Sequence, residues 1–151
     1  MDKKGVTLIE LVVVFVIIAI GAVLLAPNIG AFFPNYRLRS ATRDIVSTMR
    51  TAHLKAVSNR AQYRVNFNAA DVGGANRYVL QRDNGGGNFV DDGTVQTLPT
   101  GITISANVLP NARAVFNTDS TSSGGSITIQ NTKGATRTIS LTAATGRANI
   151  S

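Results

Sequence analysis

The sequence has 151 residues and a mass of 15.9 kDa, a length for one compact domain that argues against a multidomain enzyme. Lys and Arg number 15 against 8 Asp and Glu, giving +7 and a pI near 10.6, a balance that suits nucleic acid and lipid headgroups equally. The absence of cysteine excludes disulfides, thiolate metal sites and a Cys nucleophile, and a single histidine, His53, disfavours a poly-histidine metal centre or a Ser–His–Asp triad.

The chain begins with a short basic leader, Met1-Asp2-Lys3-Lys4-Gly5. Residues 11–36 carry no charge, and residues 11–26 are apolar apart from Gly21. Every arginine lies from Arg37 onward. This division predicts a membrane-inserting helix fused to a soluble domain. As a helix, residues 6–33 would extend roughly 40 Å, enough for a bilayer core of about 30 Å. A discarded secretory signal is disfavoured on three counts. Glu10 sits inside the apolar stretch, where a carboxylate is costly; Pro27 follows the candidate cleavage residue Ala26; and the run is long. Lys3 and Lys4 favour a cytoplasmic N-terminus, but Arg37, Arg39 and Arg43 flank the far side, so charge alone leaves the orientation open.

The run Lys4-Gly5-Val6-Thr7-Leu8-Ile9-Glu10, followed by the apolar stretch, resembles the class III signal of type IV pilins and type II secretion pseudopilins. The resemblance implies cleavage by a prepilin peptidase between Gly5 and Val6, methylation of the new amine on Val6, and a role for Glu10 in filament assembly. Pro27 falls where many members of that family carry a helix-kinking proline, and Gly21 lies nearby. Val6 departs from the more usual phenylalanine or methionine. These positions also make physical sense. A small Gly5 admits a protease to the backbone, and the lysines hold the leader at an anionic membrane face. Glu10 alone in lipid costs a few kcal/mol, which the ammonium on Val6 of a neighbouring subunit would offset.

Beyond the apolar run the helix is predicted to continue to about residue 58. Leu38, Ala41, Ile45, Met49, Ala52 and Ala56 recur at spacings of three and four, with Val46 and Val57 widening the stripe. Arg37, Arg43, Arg50 and Lys55 fall on other faces. From residue 61 the period becomes two, with glycine-rich turns. Strands are expected at 63–67, with Arg64 and Asn66 on the polar face, and at 77–82, 94–98, 102–108 and 113–116. A hairpin of 126–130 and 136–142 follows around Asn131-Thr-Lys-Gly134, then a short strand at 148–151. The expected fold class is α+β, a long membrane-inserting helix packed on a β-rich globular head. The expected divisions are a leader (1–5), the transmembrane and assembly half of the helix (6–35), and the amphipathic half with the head (36–151).

The head's order resembles the GspH/FimT-like minor pseudopilins through Val115-Phe116, Gly124-Gly125-Ser126-Ile127, Arg137-Thr138-Ile139 and Thr145-Gly146-Arg147. The helix end from Met49 to Val57 is also similar, with Ala52-His53 in place of that group's Ala-Arg pair. The implied function is that of a structural subunit of a secretion pseudopilus or a type IV pilus. Its implied partners are other pilin subunits, prepilin peptidase, an inner-membrane assembly platform, and membrane lipid before assembly. Its implied location is the bacterial inner membrane, crossed once with the head periplasmic, and then the filament. The alternative is a DNA-binding pilin of an uptake pilus, in which Lys133, Arg137 and Arg147 touch phosphates. Against it, Gly146-Arg147-Ala148-Asn149 lacks the second arginine of the Gly-Arg-x-Arg element of such subunits. Loss of the leader removes two lysines and one aspartate and leaves +6. Asp83, Asp91 and Asp92 surround a glycine loop without the EF-hand spacing, and read as a turn before a calcium site. No catalytic residue, metal site or cofactor is expected, and His53 reads as a partly buried or surface residue.

Overall fold

The computed structural model describes residues 6–151, with the side chains of residues 24–31 excepted. The chain divides into two compact units, Met1–Phe33 and Pro34–Ser151. Helix α1 is Leu8–Ser58. Among the described residues no helix is long and apolar enough to cross a membrane. The excepted side chains fall inside the apolar run, whose described part ends at Val23.

In the first unit the described apolar side chains of α1 lie exposed. Phe15 and Ile17 are each 63% exposed, and Leu11, Val14 and Ile18 are exposed as well. The apolar residues occur all round the helix, and a helix apolar on every face needs lipid or other helices around it.

In the second unit the stripe read from the sequence is the core. Leu38, Ala41, Ile45, Met49, Ala52 and Ala56 are all buried, and Ile45 is 0% exposed. Val46 joins them, but Val57 does not. At 43% exposure it sits past the edge of the buried face, so the stripe is narrower at its C-terminal end than predicted. Alanines at three of these positions let the helix backbone approach the strands closely, while Ile45 and Met49 fill the space between. Thr42, also buried, satisfies its hydroxyl by donating to the Leu38 carbonyl at 2.6 Å.

The strands are β1 (Tyr63–Asn66), β2 (Arg77–Asp83), β3 (Phe89–Asp91), β4 (Gln96–Thr97), β5 (Ile102–Asn107), β6 (Arg113–Phe116), β7 (Gly125–Asn131), β8 (Thr136–Leu141) and β9 (Ala148–Ile150). They form two antiparallel sheets. One has the order β3-β2-β1-β6, with β4 also paired to β2; the other has the order β5-β7-β8-β9. Inward residues of both sheets, among them Tyr63, Val65, Phe116, Ile127, Ile129 and Ile139, join the helix stripe in one hydrophobic cluster. Asn76, in the left-handed conformation (φ 59°), links the sheets. Its side-chain oxygen accepts from the Ile104 amide at 2.9 Å, and its carbonyl accepts from the Leu98 amide at 2.9 Å.

Two readings of the strands need correction. Strand β3 falls where no strand is expected from the sequence, because three residues are too few to show an alternation. Asn66, expected on the polar face, is fully buried. It donates to Asp71 at 2.9 Å and to Gln81 at 3.3 Å, and its Oδ1 accepts from the Asn68 amide. A buried amide is tolerated because these partners satisfy it.

Candidate functional site

At its N-terminal end, α1 opens on a reciprocal arrangement of Thr7 and Glu10. The Glu10 amide donates to Thr7 Oγ1 at 3.4 Å, and the Thr7 amide donates to Glu10 Oε2 at 3.5 Å. Thr7-Leu8-Ile9-Glu10 is therefore a capping box, with long bonds, immediately before an apolar run. Thr-x-x-Glu before an apolar run is the sequence signal for this cap. Glu10 lines a shallow depression with Thr7, Ile9, Val13 and Val14, so its carboxylate faces apolar neighbours of its own helix. Val6 is 73% exposed. Gly21 lies within α1, where an added Cβ would meet nothing within 4 Å, so no contact inside the chain demands glycine there. Gly5 and the side chain of Pro27 lie outside the described residues.

The head presents two depressions of opposite character beside α1. The first, about 280 Å³, is lined by Arg39, Thr42 and Arg43 of the helix and by Arg137 and Ile150 of the second sheet. A neighbouring depression of about 270 Å³ shares Arg39 and Arg137 and adds Asn35, Leu38, Ala135 and Thr136. No carboxylate lines either one. The second character is acidic and hydroxylic: Asp44, Ser47, Thr48, Thr51, Tyr78, Asp92 and Gln96 are among the residues lining about 460 Å³. There Asp92 accepts from Lys55 Nζ at 2.8 Å. Burial pushes the Tyr78 phenol above its ordinary value, against the Thr48 hydrogen bond, which lowers it.

The three basic residues proposed for DNA are not all in one place. Arg137 lies on β8 and joins Arg39 and Arg43. Lys133 lies in the β7–β8 turn and Arg147 between β8 and β9, and neither lines that depression. Arg39 and Arg43 were read only as flanking charges. Their spacing of four residues, one helical turn, was the available signal that they share a face. The β7–β8 turn is held by Asn131, whose Oδ1 accepts from the Lys133 and Ala135 amides at 2.9 and 3.0 Å. Its Nδ2 donates to Asn35 Oδ1 at 2.9 Å and ties the hairpin to the helix.

The aspartates around the glycine loop are each committed elsewhere. Asp83 accepts from the Gly85 amide at 2.9 Å, Asp91 from Gln81 Nε2 at 2.8 Å, and Asp92 from Lys55. Among the described residues no group of three His, Cys, Asp or Glu is placed to hold a metal ion. Arg113 pairs with Asp71, and that hydrogen bond, followed by the one from Asn66, holds the Asp71 carboxyl below its usual range. Arg64 lies 3.8 Å over the Phe89 ring, a cation–π contact, and its Nε donates to Gln81 at 2.7 Å. His53 stacks on Phe116 with ring centroids 5.9 Å apart. Gly146 (φ 60°) lies against its ring, and a Cβ at that glycine would come to 2.9 Å from the Ser120 carbonyl oxygen and 3.0 Å from His53 Nε2. Gly146 in Thr145-Gly146-Arg147 is thus the point where the closing turn meets the helix.

Residues 1–26 match the family described as the prokaryotic N-terminal methylation motif. The fold is similar to that of two structures of the minor pseudopilin EpsH from the type II secretion system of Vibrio cholerae. Both give a TM-score of 0.59, at 9% and 8% identity, covering 76% and 78% of this chain and 94% of that one. No curated protein matches the chain in sequence. A prepilin-type N-terminal motif thus stands in the same chain as an α+β fold similar to that of a minor pseudopilin.

Proposed function

We propose that the chain is a minor pseudopilin or minor pilin, a structural subunit and not an enzyme. The observation that carries this reading is the joining of a methylation motif over residues 1–26 to a head with the EpsH-like fold. In this reading residues 1–5 are a leader removed by prepilin peptidase between Gly5 and Val6, and Val6 receives the methyl group. Residues 6–35 anchor the subunit in the inner membrane, with the N-terminus cytoplasmic. The head, residues 36–151, is periplasmic until an assembly platform adds the subunit to a secretion pseudopilus or a pilus. The exposed apolar side chains of the first unit support burial among lipid and then among neighbouring helices. Nothing in the comparisons favours the DNA-uptake alternative.

The N-terminal mass of the protein, expressed with and without an active prepilin peptidase, tests the pathway. A methylated product beginning at Val6 is expected, and an intact Met1 terminus in the presence of the peptidase would overturn the reading. The role of Glu10 separates from its capping role by substitution. Glu10→Gln preserves a capping partner for Thr7 and deletes the charge. Filament incorporation should fall by at least about tenfold in that variant and stay near normal in Thr7→Ala. The reverse pattern would make Glu10 a helix cap and nothing more.

A further inference from the structure

Two cations of the head find a carboxylate: Lys55 has Asp92, and Arg113 has Asp71. Arg39, Arg43 and Arg137 do not. Among the described residues none of the three makes an ion pair or a side-chain hydrogen bond, yet all line one depression of about 280 Å³. Helix α1 brings two of them onto one face, and β8 brings the third opposite. Three cations lining one depression make its local potential positive, which favours an anion there. Their planar forks match the oxygens of a phosphate, singly or in pairs. Thr42 in the wall has already committed its hydroxyl to the Leu38 carbonyl, so the arginines are the available donors. Ile150 supplies an apolar side.

We propose that this depression binds the phosphate of an anionic phospholipid headgroup at the surface of the membrane that holds the subunit before assembly. The proposal rests on the membrane-anchored reading above. In the sequence, Arg37, Arg39 and Arg43 are the first charges after the uncharged residues 11–36, so any bilayer taking up that stretch sets its headgroups beside them. A duplex of DNA requires an extended row of cations, whereas Lys133 and Arg147 do not join this cluster. The headgroup would leave the depression when the subunit is drawn into a filament.

The test uses the full, unprocessed chain in phosphatidylcholine nanodiscs doped with increasing phosphatidylglycerol, read by the side-chain Nε resonances of the arginines. Because it needs neither peptidase nor filament, its failure is distinct from failure of the pilin reading. Arg39, Arg43 and Arg137 signals should move with phosphatidylglycerol content. The phosphatidylglycerol needed for half the effect should rise about fivefold for each of Arg39→Gln and Arg137→Gln. Arg50→Gln, an equal charge loss at an exposed position of the same helix, should leave the midpoint in place. An equal shift of the midpoint in Arg50→Gln, or none in the other two variants, overturns the site. Inorganic phosphate moving the same resonances at the same phosphate concentration would show a free-anion site and overturn the headgroup. A DNA duplex displacing the lipid response at lower concentration would overturn it in favour of nucleic acid.

Discussion

The two parts of α1 are built differently and meet opposite fates. In the first unit, every position from Leu11 to Ile18 is Val, Ile, Leu or Phe, and all are exposed. In the second, apolar residues recur at three and four, and the same chain covers them with its own sheets. An unbroken apolar run offers no single face, whereas apolar residues at three and four among charged ones offer one face that the sheets can cover. The first part must look outside the chain for what the second already has, and in that sense one end of the helix is an unmet demand and the other a completed core.

The sharpest way to break this contrast is to make the same change in each part. Ile45→Ala removes a fully buried side chain and should cost about 2–5 kcal/mol of head stability. Ile17→Ala should change the thermal unfolding of the head in detergent by less than about 0.5 kcal/mol. Equal losses would mean that the first unit also supports the fold of the head. A next-smaller effect is expected at Gly125, whose added Cβ would lie 2.8 Å from the Val108 carbonyl oxygen, at φ 103°. Gly125→Ala should destabilise by about 2–4 kcal/mol in denaturant titration, combining backbone strain with a clash against main chain that cannot swing away.

The strand positions show where sequence was readable and where it was not. The helix stripe and the β7–β8 hairpin were legible because each has a periodicity sustained over many residues, with Asn131 and Gly134 marking the turn. Asn66 was placed on the wrong face because alternation reports polarity, while its burial depends on Asp71 and Gln81, which meet it only in the fold. The basic depression was half legible: Arg39 and Arg43 share a helical face by spacing, but no local pattern brings Arg137 to them. The capping box of Thr7 and Glu10 is legible as Thr-x-x-Glu, and it shares its residues with the signal motif.

Acid provides a milder probe of the completed core. The hydrogen bond from Arg113 keeps the Asp71 carboxyl below its usual range. The unfolded chain therefore binds a proton there before the native chain does. Stability from this pair is complete above the ordinary carboxylate value of about 3.9 and declines as pH falls through the lowered native value. Asp71→Asn should flatten that part of the stability–pH curve; an unchanged acid limb would remove the pair from the account. A small effect is also expected for Lys55→Met. Both partners of the Lys55–Asp92 bridge are over a third exposed, so its loss should cost no more than about 1 kcal/mol by urea titration.

The stripe from Leu38 to Ala56 covers roughly 27 Å of helix, and it lies along the helix axis. Traction on this helix from its N-terminal side would load those contacts together, in shear, and would not peel them apart one after another. Bonds broken in parallel share a force that bonds broken in series meet singly. A head fastened in this way can be hauled by its own helix without shedding it.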